Sequence, residues 1–378
     1  PNLKWETDIS INLGLELGFF DQRLQAVFDI YQNTAKDLLL ERQIPLATGY
    51  ANVLQNIGKT ENRGVEIALK SYNIDTKNFK WVSSLNFTYN RNRVKKLALA
   101  DKMPVRSGWA STDYNDYDYL LEVGNALGQM WGWEVDGIYT VDDFNYNETA
   151  KAYELKDDRV TSNDPNTKPG YWKYKDRNKD GKIDEDDKTI IGNANPKFYG
   201  GITNNFEYRD FDFSFILNYS IGGKVYNANK MFFTKMDYLH TNTLVNVSNR
   251  FTYINEKGEN VFHNPQELER INANSNWASV DGSSTSTTRL NSKYVEDASF
   301  LRLSNIMLGY TLPSSLSRKI FVRKMRVYAS ANNLFTITGY SGYDPEVNTK
   351  PNSGLTPGID WGAYPRAFTM LFGVNLTF

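Results

Sequence analysis

Apolar and polar residues alternate one for one over the last stretch of this chain. Phe368, Met370, Phe372, Val374, Leu376 and Phe378 share one face of an extended segment, and Thr369, Leu371, Gly373, Asn375 and Thr377 share the other. A period of two argues a strand with one apolar and one wetter face. The same period recurs upstream. Ile9 to Phe19 alternate with Ser10 to Gly18, and Leu24, Ala26, Phe28 and Ile30 follow at once. Val65, Ile67 and Leu69 form a third set, and Phe79, Trp81, Leu85, Phe87 and Tyr89 a fourth. Phe198, Ile202, Phe206 and Tyr208 precede Phe211, Phe213, Phe215, Leu217 and Tyr219. Leu301 and Leu303 change phase near Asn305 before Ile306, Leu308 and Tyr310, as a β-bulge would require. Met325, Val327, Ala329 and Ala331 complete the series. The pattern predicts about nine strands, each able to supply the 9–11 residues of a tilted membrane strand.

The connections sort themselves. Tight turns at Asp21-Gln22, Asn73–Asn78 and Arg209-Asp210, and a moderate one at Pro313–Val322, alternate with longer gaps. Those gaps lie at about 41–61, 98–197, 224–297 and 338–365. Outer-membrane barrels join strands by short periplasmic turns and long outer loops, whereas a soluble sandwich has no reason to sort its loops. The expected fold is therefore all-β, a transmembrane antiparallel barrel with extracellular loops at about 98–197 and 224–297. The first and last strands then both run inward. Outward side chains such as Phe215, Leu217, Phe372 and Val374 should meet lipid, and inward ones such as Ser214 and Asn375 should tolerate polar change. An odd number of strands cannot close an ordinary bacterial barrel, since an open edge in lipid leaves backbone groups unsatisfied. The expectation is that earlier strands of the same protein complete it, and Pro1 is read as lying inside a longer protein.

Composition changes this picture little. A mean hydropathy of -0.55 suits a barrel diluted by wet loops. A net charge of -1 gives no reason to expect nucleic acid. The absence of cysteine excludes disulfides and thiolate chemistry, and two histidines, His240 and His263, supply little for a catalytic or metal cluster. No phosphate loop, nucleophile elbow or metal-hydrolase motif stands out. Carboxylates are plentiful, but no spacing singles out a hydrolytic pair, so a soluble glycan-active enzyme is the weakest reading. No catalytic residue is assigned.

Two segments carry candidate sites. Asp176, Asn178 and Asp180 stand at positions 1, 3 and 5 of a loop with Gly181 at 6, the Lys182 carbonyl at 7, Asp184 at 9 and Asp187 at 12. These are calcium-loop positions, with Ile183 as the apolar anchor, although position 12 is Asp and flanking helices are not evident. The competing reading is an acidic, solvated turn. From Trp109 to Tyr139 the chain is rich in rings, and Trp109, Tyr114, Tyr117, Trp131 and Trp133 are candidates to stack on a sugar or peptide. The plainer reading of each is a small aromatic core inside the loop.

The chain also resembles the SusC/RagA family of TonB-linked outer-membrane transporters. The resemblance rests on Leu3-Lys-Trp-Glu-Thr7, Asp29-Ile-Tyr31, Asn56-Ile-Gly58, Asn62-Arg-Gly-Val-Glu66, Asn195-Pro-Lys-Phe198 and Gly200-Gly201. It continues through Ser299-Phe-Leu-Arg-Leu-Ser-Asn305, Leu308-Gly-Tyr310, Arg326-Val-Tyr328, Asn333-Leu-Phe335 and Tyr340-Ser-Gly-Tyr-Asp-Pro-Glu346. Each piece is short, and their order and coverage make the match specific. It implies the C-terminal portion of a barrel of about 22 strands. It further implies import of a glycan or peptide, with an N-terminal plug, a TonB complex reached through the absent N-terminal part, and a SusD-like lipoprotein over the outer face. A barrel that only anchors a surface complex is the alternative. Calcium in the Asp-rich loop would have a structural role.

Overall fold

The computed structural model describes residues 3–43, 49, 52–97, 100–109, 117–162, 166–236, 240–280, 290–349 and 353–378. Nine antiparallel strands form one sheet: β1 (Thr7–Phe19), β2 (Leu24–Gln43), β3 (Asn52–Asp75), β4 (Phe79–Lys96), β5 (Phe198–Tyr208), β6 (Phe211–Ile221), β7 (Phe300–Thr311), β8 (Lys324–Thr338) and β9 (Thr369–Thr377). Their order in space is their order in the chain, and β1 and β9 are the two edges. No helix among the described residues is long and apolar enough to cross a membrane, which says nothing of a barrel.

Register explains why one face is apolar throughout. Leu13 lies opposite Ile30, Ile30 opposite Val65, and Val65 opposite Tyr89. Farther along the sheet Phe215 lies opposite Ile306, Leu308 opposite Ala329, and Ala329 opposite Phe372. Side chains directly across a ladder share a face, so an apolar row in each strand becomes an unbroken belt. The belt is open to the surroundings, with Leu13 72% and Phe372 73% exposed. A soluble sheet would have to bury such a surface. At the tight-turn end rings gather on the same face, Trp81 stacking on Phe206 at 5.5 Å and Phe211 meeting Tyr310 at 4.6 Å. Rows on the other face are polar, such as Asp29–Glu66–Thr88 and Asn33–Asn62–Asn92.

The phase change in β7 is a bulge. Pairing skips Ser304, one residue before the expected position, against both β6 and β8. Left-handed backbone at Phe20, Asp21 and Gln22 makes the first tight turn. One expectation fails. Much of the gap at about 41–61 is strand: among the described residues β2 and β3 remain paired from Ala35–Thr60 to Gln43–Asn52, past irregularities beside Asp37. A 24-residue β3 extends roughly 80 Å at about 3.4 Å per residue, far beyond an apolar band about 25 Å tall. Past that band both faces are wet, so the sequence loses its two-residue period while backbone pairing continues.

The resemblance motifs meet in pairs. Asn56 accepts the N–H of Lys4 at 2.7 Å and donates to the carbonyls of Lys4 and Asp37. Tyr31 lies directly opposite Gly64, and its ring fills the space that a β-carbon at Gly64 would occupy. Tyr328 does the same over Gly373. Arg326 donates to Asp212 across β7, where Gly309 leaves the gap for the contact. These motifs therefore fix strand neighbours.

Candidate functional site

The three long connections at the open end of the sheet fold together. One aromatic core takes Trp109, Tyr119, Met130, Trp133, Trp172 and Tyr174 from the first connection. It takes Tyr226, Met231, Trp277, Leu290 and Tyr294 from the second, and Ile359 from the third. A three-stranded sheet joins the second and third: Lys224–Asn227 pairs antiparallel with Val295–Asp297 and parallel with Ile359–Asp360. The loops thus form one packed body above the polar face.

The ring-rich segment contributes mainly to that core. Trp133 is 1% exposed, its ring lies tilted 6.1 Å from that of Tyr174, and it donates its indole N–H to the Asp184 carbonyl. Trp109 is buried against Trp361 and donates to the Tyr226 hydroxyl at 2.9 Å. Trp131 and Tyr117 are half-buried, with Lys188 over Trp131 and Arg106 over Tyr117. Tyr114 lies outside the described residues. Burial pushes the Tyr119 hydroxyl well up, and pushes those of Tyr139 and Tyr294 to about 12, so these rings stay neutral.

The acidic loop is built by its own backbone. Asp176 accepts the N–H groups of Lys179 and Gly181 at 2.6 and 2.9 Å, and Asp180 accepts that of Lys182. Gly181 has φ +84°, the sharp turn that glycine permits. Asp187 is fully buried, with one oxygen on the N–H of Arg177 and the other on that of Asp184. Asp184 in turn caps the N–H of Asp186. The carboxylates are turned onto backbone donors. Among the described residues no three Asp, Glu or His side chains converge as a metal ion would require. A short strand, Trp172–Tyr174, precedes the loop instead of a helix.

Two features were not singled out in the sequence. The first is a cavity of about 840 Å³ where the polar face meets the underside of the loop body. Glu66, Asn86, Thr88, Tyr199 and Asn218 line it from the wall, and Lys224, Glu346 and Asn348 from above. The phase of the strands carried the signal, since the wall residues alternate with the apolar belt. The second is a buried clasp. Arg302, 2% exposed, donates to Asp344 at 2.6 Å, to Glu346 at 3.0 Å and to Thr336 at 3.0 Å. Arg366 ion-pairs with Glu346. Burial alone would raise the Asp344 pKa, but the N–H of Glu346, the Arg302 guanidinium and the N–H of Arg366 outweigh it and hold it below the ordinary value. Nearby, burial and a 2.6 Å bond to Asp360 keep the Tyr340 hydroxyl protonated. Glu296 binds Lys230 and the N–H and hydroxyl of Ser341. Two of the recognised motifs, 299–305 and 340–346, are thus the two halves of one clasp.

A family model described as TonB dependent receptor-like, beta-barrel matches residues 1–334. The chain belongs to the TonB-dependent receptor β-barrel family. Within it, the chain is 30% identical over its whole length to TonB-dependent receptor P3 of Formosa agariphila, covering 34% of that protein. It is 32% identical, again over its whole length, to TonB-dependent receptor SusC of Bacteroides thetaiotaomicron, covering 32% of it. Among solved structures, the RagAB peptide transporter superposes with a TM-score of 0.72 at 24% identity, over all of this chain and 36% of that one. The chain spans about a third of the length of these relatives. As a receptor barrel it resides in the outer membrane: the apolar belt meets lipid, the polar face the lumen, and the loop body the exterior.

Proposed function

We propose that this chain supplies the wall and outer mouth of an importer that carries a glycan or peptide nutrient across the outer membrane with energy from TonB. A SusD-like lipoprotein covers the loop body in this reading, and a plug from the same protein fills the lumen. The cavity at the junction of lumen wall and loop body carries the proposal. It combines a ring, Tyr199, with the amides of Asn86 and Asn218 and the carboxylates of Glu66 and Glu346, a set suited to hydroxyl or peptide groups. SusC and the RagAB peptide transporter, the relatives named above, support transport as the class. The chain's own residues would bind and orient the ligand and exclude bulk water; no bond is made or broken.

The test places Tyr199→Ala with Asn218→Ala in the whole receptor, in cells, and follows uptake of labelled oligosaccharides and oligopeptides with and without a proton ionophore. Import requires that accumulation fall in the variant and vanish with the ionophore. Surface binding with no energised accumulation would instead establish an anchor or receptor without transport.

Calcium at the 176–187 loop is a separate proposal, supported by the oxygen spacing and Gly181. Asp176, Asn178, Asp180, Asp184 and Asp187 with the Lys182 carbonyl would hold the ion after turning from the backbone N–H groups they now accept. The ion would stiffen the loop. Calorimetric titration should show binding that Asp176→Ala abolishes; no heat in either protein refutes it.

A further inference from the structure

The lipid-facing surface changes character abruptly above the apolar belt, on strands β2 to β4. Arg63 of β3 lies across from Arg91 of β4 and Gln32 of β2, one step outward from Val65, Tyr89 and Ile30. One step farther, Glu61 lies between Thr34 and Arg93. Arg63 and Lys95 both reach Glu61 at 3.0 Å. Arg91 and Arg93 make no hydrogen bond or ion pair with any described residue. Arg63, Arg91, Arg93 and Lys95 thus gather around one carboxylate just outside the apolar belt. Directly beneath them lies a groove of about 520 Å³, lined by Ile11, Leu13, Ile30, Val65 and Tyr89, with Arg63 and Arg91 at its outer rim.

We propose that this groove holds one phosphorylated acyl lipid of the outer leaflet. Its acyl chain lies along Leu13, Ile30 and Val65, and its phosphate between Arg91 and Arg63. Three observations choose this occupant. The groove is on the face that meets lipid, so a soluble ligand would first have to enter the bilayer. Its cations sit at the rim, where headgroups begin, and its floor is apolar. Guanidinium forks match phosphate oxygens two at a time, which ammonium groups do not. Among the described residues nothing holds the Arg91 guanidinium away from that contact, while Arg63 is already oriented by Glu61.

The test uses the whole receptor, extracted from outer membranes in mild detergent, and native mass spectrometry with dioleoyl phosphatidate, dioleoyl phosphatidylcholine or inorganic phosphate as probes. Binding of one phosphatidate in preference to phosphatidylcholine is expected. A basic side chain near a membrane surface contributes enough to change affinity about fivefold, so Arg91→Gln should weaken phosphatidate about fivefold and Arg63→Gln with Arg91→Gln about 25-fold. Ile30→Ser should weaken the lipid without creating affinity for inorganic phosphate. Lys324→Gln, at the opposite end of the wall, should change nothing. Arg91 has no hydrogen-bond or ion-pair partner among the described residues, so its replacement should leave the barrel assembled, and unchanged heat-dependent gel mobility verifies this. Equal retention of the two lipids, or unchanged phosphatidate affinity in Arg91→Gln, overturns the proposal. So does inorganic phosphate binding as tightly as the lipid, which would make the site one for free anions.

Discussion

Arg302→Met removes the cation from the clasp and keeps most of its apolar stem. The variant leaves Asp344 buried, 4% exposed, without its 2.6 Å partner. Breaking a buried pair from one side costs about 3–5 kcal/mol. Asp344 keeps two N–H donors, Glu346 at 2.9 Å and Arg366 at 3.3 Å, which places the cost near the lower end, about 3 kcal/mol. That cost should fall mainly on the outer loop, because both charged partners of Arg302, Asp344 and Glu346, lie in residues 340–349, while its bond to Thr336 of β8 only adds to strands already paired along their backbones. Hydrogen exchange should therefore quicken about 100-fold at 340–349, while the strands keep their protection. Asp344→Asn with Arg302→Met should recover part of the loss, since it removes the stranded charge. The pH dependence has a definite sign. Asp344 has a depressed pKa in the folded protein, so its contribution is present above the ordinary carboxylate value and is lost as pH falls through the folded one. Exchange at 340–349 in the wild type should accelerate only on that acid side. Unchanged exchange in Arg302→Met would show that the clasp does not hold the loop.

Other outcomes follow from the wall and the loop body. Phe215→Arg or Phe372→Arg near the midplane should destabilise the barrel by about 2–4 kcal/mol in folding titrations into lipid vesicles, and Ser214→Asn by little; equal effects on both faces would reverse the assignment of lipid and lumen. Gly200→Ala would set a β-carbon 2.1 Å from the Asn86 carbonyl oxygen and should cost about 1–3 kcal/mol, whereas Gly354→Ala meets nothing and should be neutral in the same titration. Trp133→Ala should lower the stability of the loop body by about 3–5 kcal/mol, read as faster proteolysis of the loops with the strands intact.

The wall was legible because lipid on one side and water on the other force a period of two, as in Leu13–Ile30 and Phe215–Ile306. The bulge showed as a phase slip for the same reason. The outer half of the β2–β3 hairpin was not legible, since residues there face water on both sides and nothing enforces alternation. Cavity residues such as Glu66 and Asn218 stood in the inward phase, but nothing local set them apart from other inward residues. Their convergence depends on which strands become neighbours. The rings at 109–133 were visible as a cluster; that Trp109 meets Trp361 and Tyr226 could not be read locally, because those partners lie in two other loops. The clasp was visible only as two separate short motifs.

The loop body has a consequence for how this receptor can diverge. Its short sheet takes strands from two different loops, and Tyr119 of the first donates to the Pro357 carbonyl of the third. An exchange of any single loop with a relative would strand part of a shared core, and exchange of the second or third would also sever a shared sheet. Altered ligand preference should therefore be inherited as a block of three segments scattered through the chain, and chimeras that respect the block should fold where single-loop grafts fail.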